Sequence, residues 1–91
     1  MASATDHPIE AWCASLSAPA NRPTELLDAR ELPPPEPLRE TLERLPRLDD
    51  AVLFQLNDRL PQLLFPKLDD RGYAYDSAET DDGVVTAIWR P

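Results

Sequence analysis

Proline most constrains what this chain can fold into: eleven prolines stand against two glycines in 91 residues. Proline has no N–H to donate and a fixed φ, so helix interiors and central strands exclude it. Gathered in one segment, the prolines would suggest disorder. Here they are spread along the sequence, and most fall where an element should begin or end. They cut the chain into short helices and strands, with no internal repeat.

The first piece, His7 to Ser17, reads as a helix. Asp6 is placed to cap it and Pro8 suits its first turn. Ile9, Trp12, Cys13 and Leu16 recur at the spacing of one apolar stripe. A stripe carrying Trp12 has to dock on something. The stretch from Pro19 to Pro23 reads as a linker. The chain is thus expected to divide into an N-terminal helix and linker, residues 1–22, and a main domain, residues 23–91.

A short strand over Glu25 to Arg30 runs into Pro33, Pro34, Pro35 and Pro37. The helix that follows sets Leu38, Leu42 and Leu45 on one face and is stopped by Pro46. Its other face carries Glu40 before Arg44 and Glu43 before Arg47, the favourable i,i+4 order. Asp49 and Asp50 make a turn, and Ala51 to Leu56 is apolar enough for a strand buried on both faces. Pro61 opens a tight first turn, with regular helix expected from about Phe65, because Pro66 cannot pair with a carbonyl four residues back. Arg71 and Gly72 close that helix.

The chain ends in a hairpin, Tyr73 to Glu79 and Val84 to Arg90, with Asp82-Gly83 expected to supply the positive φ angles of the turn. The last strand is apolar and reads as interior; the one before it, with Asp76, Ser77 and Glu79, reads as an edge. Tyr73 and Tyr75 alternate onto one face, as do Val85, Ala87 and Trp89 on the neighbour. If those faces coincide away from the core helices, they form an apolar patch.

The expected fold is α+β: a two-layer α/β sandwich, β-α-β-α-β-β, with a four-stranded mixed sheet and an extra N-terminal helix in front. Right-handed crossovers put both core helices on one face of the sheet. The other face needs a cover, supplied by the N-terminal helix or by a partner chain, so a homodimer is possible.

Composition narrows the function. The chain suits one domain, with 42% hydrophobic residues for its core. No apolar run approaches the roughly 20 residues of a membrane span. Met1 to Asp6 has no signal-peptide character, so a cytoplasmic address is expected. Cys13 is the single cysteine, which excludes an intramolecular disulfide and a multi-cysteine metal site. Nine basic and 17 acidic residues give a net charge of −8. Only −1 of it falls on residues 1–22 (Asp6, Glu10, Arg22), so the acidity belongs to the main domain. Such a surface repels nucleic acid and anionic lipid, and neither is expected as a partner.

Beyond these readings, several residues in order carry a resemblance. Leu32-Pro33-Pro34-Pro35-Glu36-Pro37, opening a helix after an Asp-containing strand, resembles the Leu-any-Cys-Pro-any-Pro pattern of TusA/SirA-like sulfur-carrier proteins. Pro35 and Pro37 match the motif prolines, and Pro34 stands where the carrier cysteine belongs. The chain is more similar to an uncharacterised bacterial family related to those carriers, with Asp28-any-Arg30 and a proline-rich turn. That family's Asn-Asp-His-Asp-Pro-like segment is here Asn57-Asp58-Arg59-Leu60-Pro61, so Arg59 replaces the histidine. Leu64, Gly72-Tyr73 and Trp89 also fit. The resemblance spans roughly residues 24–90 and implies the carrier fold.

Persulfide relay needs an exposed thiolate activated at a helix N-terminus. Pro34 offers no nucleophile there. Cys13, on an apolar stripe beside Trp12, reads as a small buried hydrophobe. His7 and Cys13 give two ligands where a stable metal site wants three or four. Asp76, Glu79, Asp81 and Asp82 lack the spacing of a calcium loop. The expectation is therefore a protein without catalytic residues, metal or cofactor, with Asp28, Arg30, Pro34, Pro35, Glu36, Pro37 and Arg59 as a candidate surface for an unknown protein partner. By resemblance, relatives near hemerythrin-like domains imply an accessory role in redox or nitrogen-oxide metabolism. The rival expectation is small-ligand binding or sulfur trafficking through Cys13 or a pocket rimmed by Arg30 and Glu36.

Overall fold

A computed structural model describes residues 9–91. Asp6, His7 and Pro8, to which the sequence assigns a cap, a metal ligand and a first turn, lie outside the described residues. The element order is α1 (Ile9–Ser15), β1 (Thr24–Asp28), α2 (Glu36–Arg44), a 3₁₀ turn (Leu45–Arg47), β2 (Val52–Asn57), α3 (Leu64–Arg71), β3 (Ala74–Thr80) and β4 (Gly83–Trp89). The four strands form one mixed sheet in the order β1-β2-β4-β3. β1 and β2 are parallel, and β4 runs antiparallel to both β2 and β3. The expected α+β architecture is the one observed.

Proline chemistry sets most element boundaries. Pro46 cannot donate into the α-helical ladder, so the end of α2 tightens into the 3₁₀ turn, and Leu48 N–H bonds the Leu45 carbonyl at 3.2 Å. Leu64 N–H bonds the Pro61 carbonyl at 3.0 Å, the tight turn expected before α3. Pro66 is the third residue of α3, a position whose N–H would have no partner inside the helix in any case. That is why the helix starts ahead of this proline rather than at it. Gly72 closes α3 in the left-handed region, at φ 77°, as Gly-terminated helices do.

Strand β2 is buried along its whole length. Its side chains alternate between two cores. On one face Leu53 packs with Leu27, Leu45, Leu48, Leu64, Leu68 and Ile88, under α2 and α3. On the other, Val52, Phe54 and Leu56 pack with Val85, Ala87, Trp89, Trp12 of α1 and Leu16 just after it. Trp12 is 4% exposed, with its ring 6.1 Å from that of Phe54. The N-terminal helix therefore covers the face that the core helices leave open. Burying Trp12 and Leu16 is worth about 1.5–3 kcal/mol for each side chain.

Two expectations about the hairpin are corrected. The turn is the two-residue loop Asp81–Asp82 between paired Thr80 and Gly83. The positive φ falls on Gly83, at 136°, and not on Asp82. A Cβ at Gly83 would collide with the carbonyl oxygen of Asn57. This close approach, together with φ, demands glycine. The loop length also sets the register, pairing Tyr75 with Ile88 and Ala74 with Trp89. Tyr73 and Tyr75 consequently face the α2/α3 core, while Val85, Ala87 and Trp89 face α1. The imagined patch joining all five does not exist.

Candidate functional site

The topology brings the candidate residues to one end of the sheet. β1 delivers Asp28 and Arg30, and β2 delivers Asn57, Asp58 and Arg59, at the carboxyl ends of two parallel strands. Ala29 N–H bonds the Leu56 carbonyl at 2.7 Å, which ties these ends together. The hairpin turn joins them through the pairing of Asn57 with Val84. Pro34, Pro35, Glu36 and Pro37 lead into α2, whose N-terminus opens at Glu36.

Within this end, Asp28 and Arg30 form one unit. The Asp28 carboxylate accepts from Arg30 Nε at 2.9 Å and from Nη2 at 2.7 Å, a bidentate pair, and from the Arg30 backbone N–H at 3.2 Å. Arg30 Nη1 also donates to the Asp82 carbonyl at 3.4 Å, reaching the hairpin turn. The hydrogen bond to Asp28, with the nearby carboxylates of Asp28, Asp82 and Glu31, raises the guanidinium further above its ordinary range. Arg30 is a fixed cation throughout the physiological range.

Glu36 and Arg59 hold different partners. Arg39 Nη1 approaches Glu36 Oε2 at 3.7 Å, one turn along α2. Arg59 Nε stands 3.6 Å from Asp58 Oδ1, with the Arg59 side chain 82% exposed. A carboxylate next to a helix N-terminus is favoured by the dipole, and that is where Glu36 sits. The expected rim of Arg30 and Glu36 is thus two separate ion pairs. Pro33, Pro34 and Pro35 are exposed. Glu36 N–H bonds the Pro33 carbonyl at 2.8 Å, and neither Pro35 nor Pro37 has an N–H. Few backbone donors remain for an anion at this helix end.

The rest of α2 departs from the pairs expected along it. Arg39 Nε meets Glu43 at 3.6 Å, whereas no Glu40–Arg44 or Glu43–Arg47 ion pair forms within 4 Å among the described residues. Arg47 falls beyond the point where Pro46 tightens the helix, so it loses the i,i+4 relation to Glu43. Arg44 turns instead into a groove with Glu25, Glu40, Glu43 and Arg47.

Some features of this end escaped sequence reasoning. Leu60 and Leu63, in the connection between β2 and α3, are 43% and 77% exposed. They stand just after Arg59 and flank Pro61. The signal was present, since two leucines beside a proline in a polar loop have no core spacing. Gln55, the polar residue in an otherwise apolar strand, was another missed signal. It is fully buried, and its Nε2 donates to Thr41 Oγ1 on α2 at 2.7 Å.

Cys13, read from the sequence as a buried hydrophobe, is half-buried against the core that α1 covers. Among the described residues no group of three or more His, Cys, Asp or Glu is arranged to hold a metal ion. No helix among them is long and apolar enough to cross a membrane.

The fold recurs in a known structure. The crystal structure of a SirA-like protein from Desulfitobacterium hafniense superimposes with a TM-score of 0.60 at 25% sequence identity. The likeness covers 70% of this chain and 92% of that one. No curated protein matches the chain. The family model described as "Uncharacterized conserved protein (DUF2249)" matches residues 26–90, so α1 lies ahead of the matched region and the chain belongs to that family.

Proposed function

We propose that this protein is a non-catalytic accessory module that binds another protein through the carboxyl end of its parallel strands. The observation that carries this reading is the opening of α2. The scaffold is SirA-like, yet the residue leading into the helix is Pro34, which supplies no nucleophile. What that end presents instead is a rigid, exposed proline turn beside the Asp28–Arg30 pair, with Arg59, Leu60 and Leu63 on the adjoining loop. Exposed leucines rimmed by charged side chains are the composition of a protein-docking patch. Prolines at the turn cost little entropy on binding because their backbone is already restricted.

The resemblance to relatives that occur near hemerythrin-like domains is the reason to look for that partner in redox or nitrogen-oxide metabolism. Affinity capture from native lysate tests the surface, with wild type compared against Arg30→Ala, Glu36→Ala and Leu63→Asp. A partner recovered by wild type and lost with two or more variants supports the reading. Equal recovery by all four proteins removes this surface.

A further inference from the structure

Strand β1 is an edge of the sheet, hydrogen-bonded among the described residues only to β2. Val52 N–H bonds the Pro23 carbonyl, and Ala29 N–H bonds the Leu56 carbonyl. Alternation along a strand then assigns the inward groups to Pro23, Glu25, Leu27 and Ala29, and turns the N–H and C=O of Leu26 away from β2. No described residue pairs with them, and the Leu26 side chain is itself half-buried.

Beside this edge, on the helix side, lies a groove of about 270 Å³ lined by Glu25, Glu40, Glu43, Arg44 and Arg47. Glu43 is engaged by Arg39. Glu25, Glu40, Arg44 and Arg47 share the groove without an ion pair, and Arg44 Nε is sealed from water with no acceptor among the described residues. An unpaired buried donor costs free energy until something fills its geometry.

The order of these charges decides what fits. Glu40, Glu43 and Arg44 lie on one side of α2, Arg47 follows in the 3₁₀ turn, and all four line the groove, two acids and then two bases along the chain. Run antiparallel against itself, this face sets Glu40 opposite Arg47 and Glu43 opposite Arg44 of the other copy. The Gln55–Thr41 bond levels Thr41 with Leu27, the β1 partner of Gln55, so the midpoint of Glu43 and Arg44 stands about one strand residue away, near Leu26. A two-fold axis there would set Leu26 opposite Leu26 in an antiparallel pair, the register in which both outward backbone groups are used. We infer that the protein forms a two-fold dimer with a second copy of itself, joining two β1 edges into one continuous sheet under a self-complementary charged seam of two α2 helices. This surface is separate from the proline turn, and the inference stands or falls apart from that reading.

Charge reversal tests it directly. Sedimentation of the full chain from low micromolar to near-millimolar concentration should show a species of twice the monomer mass. The doubly reversed variants Glu40→Arg/Glu43→Arg and Arg44→Glu/Arg47→Glu should each weaken self-association about tenfold or more. Mixing the two should restore a heterodimer, because each now complements the other. Leu26→Pro, tolerated at an edge whose N–H faces outward, should also give a folded monomer. Exchange of the Leu26 amide in wild type should slow as concentration rises, which reads the same edge without any substitution. A wild-type monomer at every concentration overturns the inference. So does a dimer indifferent to both reversals and to Leu26→Pro, or a mixture of folded reversals that stays monomeric.

Discussion

Gln55 on the central strand donates its side-chain amide to Thr41 Oγ1 on α2 at 2.7 Å, and Thr41 in turn donates to the Pro37 carbonyl at 2.7 Å. Both residues are fully buried, and Gln55 Oε1 has no partner among the described residues. The two partners should therefore respond unequally to substitution. Thr41→Val strands the Gln55 amide and should cost about 1–3 kcal/mol in urea unfolding. Gln55→Met removes the orphan acceptor and should be nearly neutral. The double variant should recover most of the Thr41→Val loss, because the two residues act as one unit. Additive losses would show that the bond is not what couples α2 to the sheet.

The two glycines should differ in their tolerance of a side chain. Gly72 has φ 77° with nothing within 4 Å of an added Cβ, so Gly72→Ala should cost about 1 kcal/mol from backbone preference alone. Gly83→Ala adds a collision with the Asn57 carbonyl in the sheet and should lose about 1–3 kcal/mol beyond that. Thermal unfolding of the two variants side by side checks the order.

Trp12 holds α1 to the sheet. Trp12→Ala should cost about 3–5 kcal/mol, as large-to-small changes in a core do. It also uncovers Val52, Phe54 and Val85, so the variant should bind a hydrophobic dye that wild type excludes. Unchanged stability with no dye binding would mean that the helix does not seal this face in solution.

The phenol of Tyr75 stacks on Phe65 at 4.9 Å and donates to the Asp69 carboxylate at 3.0 Å. Lost hydration, then the bond to Asp69 and its negative charge, push this phenol above its ordinary 10.0. A raised folded pKa means that the contribution is complete below the unfolded value and is lost as pH rises through the folded one. Wild type should thus lose stability relative to Tyr75→Phe as pH climbs above about 10. Unfolding midpoints of both proteins across pH 8–11 measure the difference; parallel curves would rule the phenol out as the cause.

How much of this was legible beforehand follows from the range of each interaction. The helix before Gly72, the turn at Asp49 and Asp50, and the two-sided burial of β2 rest on residues within a few positions of each other. The Asp28–Arg30 pair spans two residues, yet Arg30 also reaches the Asp82 carbonyl, 52 positions away. No local pattern announces such a contact. The i,i+4 order on α2 was visible, but the groove beside β1 decided where Arg44 turned.

The proline punctuation and apolar spacing by themselves determined the element order, the interior place of β4, and the absence of a thiol at the opening of α2. Proline and spacing act through the nearest backbone bonds, which is why one strand of text suffices to read them. Only the tertiary structure decided which face each side chain of the hairpin takes, because one residue of loop length flips the whole alternation. It also decided that α1 covers the second face, since an amphipathic helix specifies only that it must dock, and the position of the open apolar surface specifies where.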